Sequence, residues 1–265
     1  MKVVTPTPLM REAAEVLRDV RQSVVVFGAV AVEVALAEAD VSVSPTRDID
    51  LVVRTEDAND IVDHLEELGM TRSPIPHETG FTWIRGDLKV QLVRTFHPFA
   101  KGAAERLPSQ SALTVVQDLS HRHEVSFADE PAALRFLCVN AACVIALKRQ
   151  AFGRTRATET APVLRDYCDV YLVLRQAADS VLEDYASADQ TVRVWVEQAV
   201  GLLAEDEEAW SRAATEAVRT GVHDSQRLAE ADVRRVATRF RRRLHERFPV
   251  AAQRAEHRAG GGPPR

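Results

Sequence analysis

Ser44-Pro45-Thr46-Arg47-Asp48-Ile49-Asp50-Leu51-Val52-Val53 puts an Asp-x-Asp pair at the head of an apolar run. On a strand, Asp48 and Asp50 leave one face while Ile49, Leu51 and Val53 leave the other. One face packs and the other carries two carboxylates side by side. Two carboxylates so close resist joint ionisation unless a divalent cation lies between them, so the pair reads as a site for Mg²⁺ or Mn²⁺. An Asp-rich turn feeding a buried strand would give the same residues, and the flanking sequence has to separate the two.

Upstream, Val24, Val25, Val26 and Phe27 read as a short buried strand. Gly28-Ala29 then opens an Ala- and Val-rich helical segment, and Pro45 closes the connection to the Asp strand. A strand that runs through glycine into a helix presents backbone N–H groups at the helix N-terminus, where phosphate binds. One strand thus offers anion donors and its neighbour offers metal ligands.

In this order the segments resemble the nucleotidyltransferase superfamily that includes DNA polymerase β, and within it the AbiEii-like nucleotidyltransferases, many of them type IV toxins. The residues that carry the resemblance are Gly28-Ala29, then Thr46-Arg47-Asp48-Ile49-Asp50-Leu51, then Lys148 in Ala146-Leu147-Lys148-Arg149, with Arg154 or Arg156, then Arg165-Asp166-Tyr167-Cys168-Asp169. The resemblance implies an α+β protein: a polymerase-β-type mixed-sheet domain over residues 1–128, followed by an all-helical domain over 129–250. It implies catalytic Asp48, Asp50, Lys148 and Asp166, with Asp48 and Asp50 as metal ligands. Gly28, Ala29, Thr46, Arg47, Lys148, Arg154 and Arg156 would bind the nucleotide. The substrate would be a nucleoside triphosphate. The toxin branch adds tRNA as acceptor and a cognate antitoxin protein as partner.

Two positions depart from the family pattern. Ala29 stands where a Ser or Gly is expected, which removes a hydroxyl and keeps the backbone donors. Gln91, in Leu88-Lys89-Val90-Gln91-Leu92-Val93, stands where a third carboxylate is expected. An amide oxygen can ligate a metal but carries no charge and cannot serve as a base. Asp87 shares the parity of Gln91, yet it lies about 13 Å away at strand rise and belongs to a Gly86-Asp87 hairpin turn.

The 265 residues are 46% hydrophobic, enough for a sizeable core, and the net charge of −5 argues against a protein that coats nucleic acid generally. Cys138, Cys143 and Cys168 form no Cys-x-x-Cys pair and read as buried apolar residues of a cytoplasmic protein. No apolar run reaches membrane-spanning length, so no membrane partner is expected.

Along the chain, Thr7-Pro8 signals the start of a first helix, Thr55 can cap a later helix that reaches about Leu68 with Gly69 as its stop, and residues 81–84 and 88–93 form a hairpin. Short strands are expected at 113–116 and 125–127. His121 and His123 between them suit either an exposed polar turn or, with a third ligand, a metal. From Asp129-Glu130-Pro131 the pattern turns helical, with residues 134–147 apolar on every side as in a buried helix. Lys148 ends that run, and Asp166 and Asp169 share one face of the next helix. Further helices are expected at 191–203, 207–219 and 229–248. Residues 233–247 contain seven Arg against one Glu, which suits RNA phosphates, the triphosphate, or a solvated face. The segment 251–265, rich in Gly and Pro, is expected to be disordered.

Overall fold

A computed structural model of the protein describes residues 1–20, 24–39, 48–54, 57–74, 80–95, 121–129, 135–152 and 160–249. The strands are β1 (Lys2–Val4), β2 (Val25–Phe27), β3 (Asp48–Arg54), β4 (Thr71–Arg72), β5 (Gly80–Arg85), β6 (Leu88–Thr95), β7 (Arg122–Phe127) and β8 (Arg135–Val139). They form one mixed sheet in the order β1-β7-β8-β2-β3-β6-β5-β4. β3 runs antiparallel to β2 and parallel to β6, so it lies inside the sheet with both edges paired. Its inward residues Ile49, Leu51 and Val53 are fully buried, as the alternation required.

Helices α1 (Pro8–Val16), α2 (Gly28–Ala35) and α3 (Ala58–Glu67) are interleaved with these strands. Thr7 caps α1, its hydroxyl accepting from the Met10 amide at 3.2 Å with Pro8 in the first turn. α3 closes at Gly69, where Met70 N–H bonds Leu65 O at 3.0 Å. α1 packs on β8, and α2 packs on β2, β3 and β8.

After the sheet come α4 (Ala141–Ala151), α5 (Thr160–Gln176), α6 (Ala178–Ser187), α7 (Gln190–Glu205), α8 (Glu207–Arg219) and α9 (Gln226–Arg247). α4 packs against α5 and α7, and α9 lies across α7, α8 and α5. α2 touches both α4 and α5, so the helix that follows Gly28 also links the sheet to the helical half. The chain is α+β, with a mixed sheet followed by helices. Among the described residues, no helix is long and apolar enough to cross a membrane.

Helical character sets in later than residue 129. Residues 135–139 form β8, parallel to β2 and antiparallel to β7 near the middle of the sheet. Residues 135–147 are therefore a largely buried strand and then a helix, two states that a mainly apolar stretch does not distinguish. The break is Asn140, whose side chain accepts from Cys143 N–H at 2.9 Å and caps α4.

His121 is fully buried rather than part of an exposed turn. Its Nε2 accepts from Asp189 N–H at 3.1 Å, and its carbonyl accepts from Asn140 N–H at 2.8 Å. The strand expected at 113–116 and the tail 251–265 lie outside the described residues.

Candidate active site

The site grows from the junction of β2, α2 and β3. Phe27 pairs with Asp50 across the β2–β3 ladder, and Gly28 follows with φ of +67°. A Cβ at Gly28 would sit 1.8 Å from Asp50 Oδ2, so the carboxylate occupies the space that a side chain would fill. Glycine is needed here twice, for the positive φ and for the close approach. Among the described residues no side chain caps the first turn of α2, and a helix start of that kind suits an anion beside the carboxylate.

On the other side, β6 pairs in parallel register, with Asp48 opposite Lys89 and Asp50 opposite Gln91. Paired residues share a face, so Gln91 stands beside Asp50, where the sequence reading expected a third carboxylate. Lys89 beside Asp48 was not singled out from the sequence. The signal was available, because Lys89 has the same strand parity as Gln91.

The helical half contributes Lys148, near the end of α4. Its Nζ lies 2.7 Å from Asp166 Oδ1 and 2.7 Å from Asp169 Oδ2 on α5. Burial alone would push this ammonium down, but Asp166 and Asp169 outweigh it and its pKa is raised, so the lysine stays charged. Lys148 is thus engaged by two carboxylates rather than extended from a helix end. Asp169, which the sequence reading placed behind Asp166, holds it at the same distance and is 2% exposed.

Charge on these elements converges on Asp50. Its pKa is raised to about 7, first by desolvation and then by the nearby charges of Asp48 and Asp166, with Lys148 acting in the opposite direction. Four of the predicted residues, Asp48, Asp50, Lys148 and Asp166, are therefore within electrostatic reach of one another, beside Gly28. Thr46, Arg47, Arg154 and Arg156 lie outside the described residues, and Ala29 follows Gly28 in α2.

The donor set fits a hard divalent cation. Asp48 and Asp50 could supply oxygen ligands from one strand face, and among the described residues Lys148 acts against the negative charge of Asp48 and Asp166 at Asp50. Among the described residues, no three His, Cys, Asp or Glu side chains converge as a metal cage. His123, the other histidine considered for metal, instead lies 3.9 Å from Asp184.

No family model matches the chain. Comparison with curated proteins likewise finds no match. Among solved structures, the chain is similar to the solution structure of the antibiotic-resistance factor ANT(2″)-Ia, at 15% identity and a TM-score of 0.43, covering 81% of this chain and 96% of that one. A crystal structure of ANT(2″)-Ia with adenylyl-2″-tobramycin aligns at 14% identity and 0.44, covering 73% and 97%. JHP933 from Helicobacter pylori aligns at 10% identity and 0.47, covering 90% and 91%. All of these TM-scores are below 0.5, and what the site can do follows from its own residues.

Proposed function

We propose that the protein is a divalent-metal-dependent nucleotidyltransferase that moves a nucleoside monophosphate from a nucleoside triphosphate to an acceptor hydroxyl. The observation that carries this reading is the junction where Asp50 fills the Cβ space of Gly28, with Asp48 two residues before it and an uncapped helix start on its flank. Carboxylates beside a helix N-terminus suit a metal-bound triphosphate.

Mg²⁺ or Mn²⁺ held by Asp48 and Asp50 would supply charge neutralisation at the reacting phosphate. The first turn of α2 would orient the phosphate chain through backbone N–H groups. Lys148, fixed in position by Asp166 and Asp169, sets the positive potential near the carboxylates. Arg154 and Arg156 would offset charge on the leaving pyrophosphate. Attack of the acceptor oxygen on the α-phosphorus forms one P–O bond as the bond to pyrophosphate breaks. Gln91 cannot take the hydroxyl proton, which leaves Asp166 as the residue of this set to receive it. The finer reading takes the acceptor as the 3′ end of a tRNA, which would make the protein a toxin restrained by an antitoxin protein.

Gln91 beside Asp50 favours one alternative, a site that binds nucleotide without turning it over. The test is incubation with each α-labelled nucleoside triphosphate, Mg²⁺ and total tRNA, with Asp48→Ala/Asp50→Ala as control. Label on tRNA in the wild type alone supports transfer and names the base. Label staying in the free triphosphate leaves two readings, a different acceptor such as a small-molecule alcohol or a protein hydroxyl, or a binding-only site. Mg²⁺-dependent binding in calorimetry that is lost in the double variant keeps the nucleotide site, and no binding at all overturns both.

A further inference from the structure

We infer that the outward face of α9 is a docking surface for the phosphate backbone of RNA. The helix is divided lengthwise. Ala229, Val233, Ala237, Phe240 and Leu244 are buried against the bundle. Arg227, Arg234, Arg235, Arg239, Arg242 and Arg247 are exposed, with Glu246 as the helix's exposed acid. Arg227 to Arg242 spans about 22 Å at helical rise, so the guanidinium groups form a rail rather than a point.

The arginines at the margins behave differently. Arg241 pairs with Glu205 and Arg243 with Asp179, which ties the helix to α7 and α6. On the outer face, the Arg234 guanidinium lies over the Trp210 ring, 5.3 Å from its centroid, and Arg235 bonds Asp232 from above. Arg242 has Glu246 at 3.8 Å. Shallow depressions run along the same face, one lined by Arg234, Arg235, Arg239 and Arg242 and the next by Arg242 and His245.

Charge complementarity selects the occupant. A protein of net charge −5 that concentrates exposed arginine on one helix presents a local positive field to a polyanion. Guanidinium suits phosphate because its planar donors bind two oxygens at once. An anionic bilayer fits less well, since the apolar half of α9 is buried and the exposed side of the helix carries Leu228 as its large apolar residue, with Ala231 and Thr238 between the arginines. α9 is also packed against α7, α8 and α5, so its outward face alone meets a ligand. It can lie along a backbone, which is how structured RNA is bound. The choice of RNA over DNA rests on the transfer reading above, in which the acceptor carries a terminal ribose hydroxyl; the surface itself does not.

The test uses the full chain carrying Asp48→Ala/Asp50→Ala and a fluorescein-labelled RNA hairpin with a single-stranded 3′ end, followed by anisotropy over a salt series. Log affinity should fall linearly with log salt, with a slope of about −3 for some four neutralised phosphates. Arg234→Glu/Arg239→Glu/Arg242→Glu should weaken binding roughly tenfold or more and flatten the slope. A charge-matched control, Arg18→Glu/Arg54→Glu/Arg135→Glu, should stay within about twofold of the parent, with folding of both checked by circular dichroism. Equal loss in the two variants, no RNA binding by the parent, or tighter binding to a DNA hairpin or to phosphatidylserine vesicles would overturn the inference. Because the carboxylates are already removed, failure of docking is read separately from failure of transfer.

Discussion

Asp50, half-buried, and Asp232, buried, are carboxylates of the same chain whose surroundings push them in opposite directions. Burial disfavours the charge of Asp232 too, yet the Tyr171 hydroxyl at 2.6 Å, the Arg235 guanidinium and Arg175 at 3.6 Å more than compensate, and its pKa is lowered. His223 adds a ring nitrogen 2.7 Å from the same hydroxyl. Around Asp50 the neighbours are Asp48, Asp166 and a lysine already shared by two other carboxylates. Asp232 is a finished interaction that holds α5 to α9. Among the described residues Asp50 has two carboxylates and one shared lysine acting on it, which is how a site looks when the balancing charge arrives with its ligand.

The largest test of this contrast is Asp50→Asn. Transfer should fall on the order of a thousandfold, about 4 kcal/mol of transition-state stabilisation, while the melting temperature holds or rises. Radiolabel transfer and a thermal melt on the same preparation check both halves; a variant that loses stability as Asp232→Asn does would erase the contrast. For Asp232→Asn, the Tyr171 hydroxyl and Arg175 lose their charged acceptor, and a loss of about 3 kcal/mol is expected in urea unfolding. Since the pKa of Asp232 is lowered, its contribution is present above the ordinary carboxylate range and is lost as pH falls through the lowered value. The gap between wild type and Asp232→Asn should therefore close in acid.

Gly28→Ala sharpens the other side. The new methyl meets Asp50 Oδ2, and the positive φ disfavours any L side chain, so about 2 kcal/mol of stability should go. Transfer should fall well beyond what that loss explains, measured at a temperature where the variant is folded. Asp184 tests an intermediate case, with two backbone donors at the start of α4 but burial raising its pKa to about 6. For a raised carboxylate the folded state binds the extra proton between about pH 4 and 6, so stability declines as pH climbs through that window. Asp184→Asn should flatten the decline by about 1 kcal/mol in pH-resolved unfolding.

Much of the sheet half was legible because its signals are local. The Gly28 junction, the Asp48–Asp50 parity, the Gly86-Asp87 hairpin and the caps at Thr7 and Gly69 each depend on a few adjacent residues. Gln91 was singled out through the family pattern, and its place beside Asp50 comes from the register of β6 on β3. What escaped depends on partners far away in sequence. β8 was hidden inside an apolar run, and its only local mark was the capping Asn140. His121 is buried because Asp189, in the helical half, donates to it. Asp169 could not be ranked against Asp166 from spacing alone, because the position of Lys148 between them comes from packing of α4 on α5. α6 was not anticipated at all.

The late strand β8 has a consequence for how the protein comes into being. It is the piece that joins β2-β3-β6-β5-β4 to β1-β7, and it is made after seven of the eight strands. During synthesis, β1 waits without a parallel partner until residues 122–127 appear, and the two parts of the sheet stay separate until 135–139 emerge. Lys148, Asp166 and Asp169 follow only then. A chain interrupted before that point would hold both carboxylates and no lysine between the helices, with the two parts of the sheet still unjoined.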